Sequence, residues 1–284
     1  MLDLETTILS IRHFHRQRVF AMDQRKRSDL ALGAFMRTQL GWRKDLPADE
    51  AKAIREEAAA IIAGKADAGE YADIIAAAHG AKDPFEKIEA STSKMMGKLA
   101  KSLPVWESFA EPINGFGAVG LAIIVAEAGD LSNYPKKGHL WKRLGLAVID
   151  GIAQGKLGKG ASAAEWIEHG YNPERRSRIF TIGDSLIKKQ NAYREIYLDR
   201  KAYEKTRAEM MGLQVVPAAK IPAKRADEFM SEGHVHRRAQ RYMEQRLVRD
   251  LWQAWRDREN MEVVPNQAFV AISTDRAIEF QASA

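Results

Sequence analysis

Residues 113–117 read Ile-Asn-Gly-Phe-Gly, and an apolar run from Ala118 to Ala128 follows directly. Gly115 and Gly117 can adopt backbone angles closed to other residues, and neither carries a side chain that would keep a ligand from the main chain. The N–H groups of such a turn, with the first N–H groups of the next helix, face outward at the positive end of the helix dipole. That arrangement suits an anion, and a phosphate above all. Ile113 and Phe116 alternate with the glycines and are expected to anchor the turn in the core. A turn that takes a phosphate of a nucleic-acid backbone in this way reads little sequence, because phosphate contacts position rather than specify. The simpler alternative is a Gly-rich turn between two packed helices.

Positive charge is concentrated beyond this turn. Residues 131–260 hold 26 basic and 16 acidic side chains, whereas residues 41–90 hold 7 and 11. Lys136, Lys137, Lys142 and Arg143 stand beside Tyr134 and Trp141, and Lys156 and Lys159 lie in the Gly-rich stretch 154–160. Arg175, Arg176 and Arg178 follow Asn172-Pro173 at the start of an expected helix. Cations there oppose the helix dipole, so a bound anion would offset them. Ion pairs with Glu165, Glu168 or Glu174 would do the same. Between His234 and Arg258, Arg238, Arg241, Arg249 and Arg256 form a stripe beside an apolar face of Ala239, Tyr242, Met243, Leu247, Leu251 and Ala254. A basic stripe is the footprint of a phosphate-contacting surface; the alternative is a solvated face relieved by neighbours such as Glu244. The site expected from sequence is therefore Gly115, Phe116 and Gly117 with these lysines and with Arg143, Arg175, Arg176, Arg178, Arg238, Arg241 and Arg249. Its expected partner is nucleic acid, DNA by preference.

Other chemistries find little support. The chain has no cysteine, which excludes disulfides, thiolate catalysis and Cys-based zinc sites. His13 and His15, like His234 and His236, are two residues apart and point to different sides of a helix, which makes poor metal pairs. Asp45, Asp49, Glu50, Glu56 and Glu57 read as helix-surface acids, not as a convergent metal site. No cofactor and no small-molecule substrate are expected. Trp106, Trp141, Trp166, Trp252 and Trp255 are read as core or interface anchors.

The elements that must position these residues are mostly helical. The 284-residue chain is 45% hydrophobic and 29% charged with a net charge of +6, an ordinary globular composition. Leu4, Ile8, Ile11, His15 and Val19 recur at helical spacing, and Leu30 to Leu40 forms a second run. A third helix opens near Pro47 and ends at Gly64; another runs from Tyr71 and stops at Gly80; Pro84 starts a longer one to Pro104. A short helix over about 105–110 precedes the glycine turn. Residues 192–211 and 234–258 read as helices, and the Pro-containing stretch 215–222 between them as an extended linker. Val263-Val264 and Phe269–Ile272 are candidates for two short strands. The longest apolar stretch, 121–126, is far short of the roughly 20 residues of a membrane helix. A protein without a membrane partner, cytoplasmic, is the expectation.

Taken in order, the segments beyond the turn resemble the C-terminal domain of the pilin-gene-invertase class of insertion-sequence transposases. The hairpin reads hydrophobic-x-Gly-hydrophobic-Gly, as in a helix-hairpin-helix. Its second helix ends Ala126-Glu-Ala-Gly-Asp130, a segment ending Gly145-Leu146 follows, then a Gly-rich loop, an Arg-rich helix and a final basic helix. The resemblance spans about residues 105–255. With the helical spacing of the earlier segments, the expectation is a mainly α protein with a helical N-terminal region (1–102), a transposase-like helix-hairpin-helix domain (103–260) and a tail (261–284). The resemblance also implies DNA as partner and a phage or mobile-element setting. Two departures bear on activity. The family's nucleophilic serine follows the Gly-Leu in a Gln-Ser-Gly-like loop, yet residues 145–155 contain no serine, and Ser162 lies outside the pattern. The family's N-terminal acidic residues sit on a strand-rich fold, whereas residues 1–100 read as helices. The expectation is a non-catalytic DNA-binding protein whose amphipathic N-terminal helices support homo-oligomers. The alternatives are a divergent recombinase or nuclease, and a structural or host-interaction scaffold.

Overall fold

Among residues 3–257, which the computed structural model describes, nine α-helices and four very short strands are present, so the fold is mainly α. The tail expected to hold a β-hairpin lies outside the described residues. The described residues form two compact units, one of residues 13–96 and one of residues 3–12 together with 97–257.

In the first unit, α1 (Leu4–Gln39) is one continuous helix rather than two runs. The charged stretch between its apolar segments is held from the side by α3 (Ala72–Ala100). Arg25 pairs with Glu89 at 3.3 Å, Arg18 with the same carboxylate at 3.5 Å, and Lys82 with Asp29 at 2.7 Å. Gly80 and Pro84 likewise do not divide α3 but lie inside it. An interior proline costs a helix about 3 kcal/mol. Here the flanking residues are fixed by α1, through Lys82–Asp29 and an edge-to-face contact of Phe85 with Phe20 at 6.3 Å. Helix α2 (Ala48–Ile62) starts after Pro47, as its sequence predicts, and closes the unit over a core of Leu32, Met36, Ala58, Ile61 and Ile75.

The second unit is built around α9 (Glu232–Asp257). Val235, Ala239, Met243, Leu247, Val248, Leu251 and Trp255 are fully buried. The buried face is wider than sequence suggests, taking in Gln240 and Glu244, because α9 packs against two helices. One is α8 (Ala192–Met210), which runs antiparallel to it: Tyr193 donates to Asp250 at 3.1 Å, and Glu204 pairs with Arg238 at 3.3 Å. The other is α7 (Pro173–Ile187). The stretch between α8 and α9 is not a free linker. Its ends form β3 (Gln214–Val216) and β4 (Phe229–Ser231), which pair in parallel.

Helix α4 (Gly117–Ala128) is almost wholly apolar, with Gly120, Leu121, Ala122, Ile124, Val125 and Ala126 buried, and it lies antiparallel to α7. Gly115, just before α4, touches Ser185 and Lys189 at the end of α7, while Glu127 near the end of α4 holds Arg175 and Arg178 at the start of α7. After α4 the chain passes α5 (Lys137–Arg143), a tight hairpin of β1 (Val148–Ile149) and β2 (Ile152–Ala153), and α6 (Ala163–His169). Three tryptophans of this unit act as anchors, as expected. The indole N–H groups of Trp141, Trp252 and Trp255 donate to the Gln245 carbonyl, the Tyr134 carbonyl and the Asp130 carboxylate at 3.0, 2.9 and 2.8 Å.

Candidate nucleic-acid interface

The glycine hairpin has the backbone its sequence calls for. Gly115 and Gly117 have φ of +93° and +65°, in the region that favours glycine. Ile113 and Phe116 are buried, and Phe116 meets Phe109 edge to face at 6.3 Å. The preceding helix is only a single wide turn over Trp106–Ala110. The hairpin carbonyls are tied to the end of α7: Ser185 Oγ donates to the Gly115 carbonyl and Asn191 Nδ2 to the Asn114 carbonyl, both at 2.8 Å.

The two glycines serve different purposes. A β-carbon on Gly115 would lie 2.9–3.0 Å from the Lys189 side chain and 3.0 Å from the Ser185 carbonyl, so this glycine permits close packing. A β-carbon on Gly117 would meet nothing within 4 Å. Position 117 is exposed, no side chain caps the first turn of α4, and among the described residues the Gly117 N–H has no protein acceptor. The open, donor-bearing face of the hairpin is therefore at Gly117. Lys189, exposed beside Gly115, and Lys101, whose ammonium lies 5.6 Å from the Trp106 ring, are neighbouring cations that the sequence pattern does not single out.

The arginines are largely engaged within the fold. Glu127, only 11% exposed, takes Arg175 Nε at 3.1 Å and Arg178 Nη1, and its own carbonyl accepts from Arg143 Nε at 3.0 Å. The ion pairing considered for Arg175 and Arg178 is thus present, with Glu127 as its centre and Glu174 as a minor partner at 3.5 Å. Arg176 pairs with Glu244 at 2.8 Å. Arg238 pairs with Glu204, Arg241 donates to the Gly145 carbonyl at 3.3 Å, and Arg249 pairs with Asp250 at 2.6 Å. Arg238 and Arg241 therefore fasten α9 to its neighbours, whereas Arg249 pairs within α9 itself, and only Arg238 among these three is strongly exposed.

The lysines differ. Lys136, Lys137, Lys156 and Lys159 are exposed, Lys142 is half-buried, and none of them is in an ion pair among the described residues. Lys137 lies over the Trp141 ring at 5.6 Å. The hairpin and the Glu127–arginine node are at opposite ends of α4, about 15 Å apart at 1.5 Å per residue. The expected site residues thus fall into separate patches rather than one.

Two further features explain residues that sequence left open. Ser162 caps α6: its N–H and Oγ donate to Glu165 Oε2 at 2.7 and 2.8 Å, and these bonds hold the Glu165 carboxyl below its ordinary value. Its role is a capping box. Residues 148–153, within the stretch 145–155 that contains no serine, form the β1–β2 hairpin, turned by Asp150 (φ +51°) and Gly151 (φ +77°). Asp-Gly flanked by Val148, Ile149 and Ile152 is a strong hairpin signal in itself.

Glu244 carries the clearest electrostatic perturbation. Burial raises its carboxyl from an ordinary 4.5 to about 7, against the lowering influence of Arg176, Gln240 and Arg241. Burial, and then the charge of Arg176, lower the pKa of Arg241. Among the described residues no three His, Asp or Glu side chains come together as metal ligands, and no helix is long and apolar enough to cross a membrane. No protein-family model, curated protein or solved structure matches the chain.

Proposed function

We propose that the protein binds nucleic acid, DNA by preference, by holding the phosphate backbone against the Gly117 hairpin. The observation that carries this reading is the exposed, uncapped start of α4, where Gly117 presents an unpaired N–H with open space around it. Backbone donors at the positive end of a helix are a ready anion site. Exposed Lys136, Lys137, Lys156, Lys159 and Lys189 supply cations for further phosphate contacts. The resemblance to the transposase hairpin domain points the same way, and with it a mobile-element setting. No catalytic residue is assigned.

A salt-titrated binding assay on duplex, single-stranded, junction and RNA substrates tests the proposal. Affinity should fall steeply with salt, and each pair of exposed lysines changed to alanine should reduce the slope by about two phosphates' worth. Affinity that ignores salt, or survives Gly117→Glu intact, defeats it. Self-association belongs to the same proposal: Phe20, Leu30 and Ile74 are exposed apolar residues of the 13–96 unit. Light scattering on the purified chain measures it.

A further inference from the structure

Pro173, Arg176, Ser177 and Phe180 of α7 face Arg237 and Arg241 of α9 across an open pocket of about 320 Å³. Three of its six lining residues are arginines. Arg176 spends one guanidinium nitrogen on Glu244, while its Nη1 is buried without a partner. Arg241 gives one bond to the Gly145 carbonyl, and Arg237 is exposed and in no ion pair among the described residues. Among the described residues Glu244 is the carboxylate ion-paired with this group, through Arg176, so the fold brings three arginines together with one ion pair between them. The Phe180 ring is 37% exposed, with the Arg176 guanidinium 5.8 Å from its centre, and Pro173 extends the apolar wall.

Guanidinium groups fork onto phosphate oxygens, and an exposed aromatic face takes a planar base. The volume lies at the lower end of the roughly 300–1,000 Å³ typical of small-ligand pockets. We propose that this pocket binds the phosphate of a nucleoside monophosphate, free or as the 5′ end of a strand, with the base against Phe180. The proposal deepens the nucleic-acid reading but stands on α7 and α9 rather than on the hairpin before α4.

Calorimetric titration of the full chain with inorganic phosphate, adenosine, AMP and matched oligonucleotides bearing a 5′-phosphate or 5′-hydroxyl tests it. A phosphorylated ligand should bind about tenfold or more tighter than its unphosphorylated counterpart. AMP binding identifies a free nucleotide; preference confined to oligonucleotides identifies a strand end. Arg237→Glu, at an exposed residue in no ion pair among the described residues, should abolish the preference with the thermal transition unchanged, and Phe180→Ala should weaken AMP more than inorganic phosphate. Gly117→Glu should leave the preference intact while removing backbone binding. Equal binding of the phosphorylated and unphosphorylated forms in both the AMP–adenosine and the oligonucleotide pairs, a preference that survives Arg237→Glu, inorganic phosphate binding as tightly as the phosphorylated ligand that shows the preference, or loss of the preference in Gly117→Glu each overturns the assignment.

Discussion

The Glu244 carboxylate lies directly against the backbone of α7 at Gly183: a β-carbon there would sit 2.5 Å from Glu244 Oε1 and 2.9 Å from Gln240 Nε2. Glycine at 183 is therefore what admits a buried acid between α7 and α9. Gln240 Nε2 completes the arrangement by donating to the Phe180 carbonyl at 2.9 Å and to Glu244 at 3.1 Å.

Gly183→Ala should destabilise the protein by about 1–3 kcal/mol, the range for overpacking a close-packed site. Combined with Glu244→Ala, the loss should be smaller than the two single losses added, because both changes act on one contact. Urea denaturation of the four proteins measures the cycle.

Stability should fall as pH rises from about 4.5 to about 7. Below the ordinary value of 4.5, Glu244 is protonated whether folded or unfolded; between 4.5 and about 7 the folded chain keeps the proton and the unfolded chain releases it. The advantage is complete at the acid end and gone above pH 7, a change of about 3 kcal/mol. Glu244→Gln should flatten this part of the stability–pH curve, measured by denaturation between pH 4.5 and 8.

Removing the Glu127 carboxylate strands two arginines at once. Glu127→Ala should cost about 3 kcal/mol, as breaking an ion pair that is largely shielded from water does. Milder Glu127→Gln should free Arg175 and Arg178. If nucleic acid is the partner, its low-salt affinity should then rise, since counterion release grows with the number of free cations. Thermal melts and salt-titrated binding on the same variants separate the two effects.

The hairpin glycines should separate cleanly. Gly115→Ala meets Lys189 and the Ser185 carbonyl at a φ of +93°, so it should lower stability by about 1–3 kcal/mol. Gly117→Glu adds its side chain in open space; it should pay about 1 kcal/mol for its φ of +65° yet repel phosphate. Melting and binding should move independently in the pair.

Much of the helical layout was legible because apolar spacing marks it, and α2, α4 and α8 begin and end close to their Pro, Gly and Asn signals. What the spacing misses is contact across the chain. Gly80 and Pro84 read as breaks, but Lys82–Asp29 and Phe85–Phe20 hold α3 straight through them. The glycine hairpin was legible for the same local reason, since positive φ is a property of the residue itself. The fate of the arginines was not. Glu127 sits 48 residues before Arg175, and Glu244 sits 68 residues after Arg176, so no local pattern announces either pair. Glu244 in particular reads as a surface acid until α7 is laid over it.

The parallel pairing of β3 with β4 bears on the covalent continuity of the chain. Residues 217–222 and 225–228 make an excursion outside that clasp and are mostly exposed, with Lys220 and Arg225 among them. A single tryptic cut there severs the backbone but none of the contacts between α8 and α9. The two fragments should stay together through gel filtration in native buffer and come apart only in denaturant. Fragments that co-elute in this way would make the loop the natural place to insert a tag or a reporter.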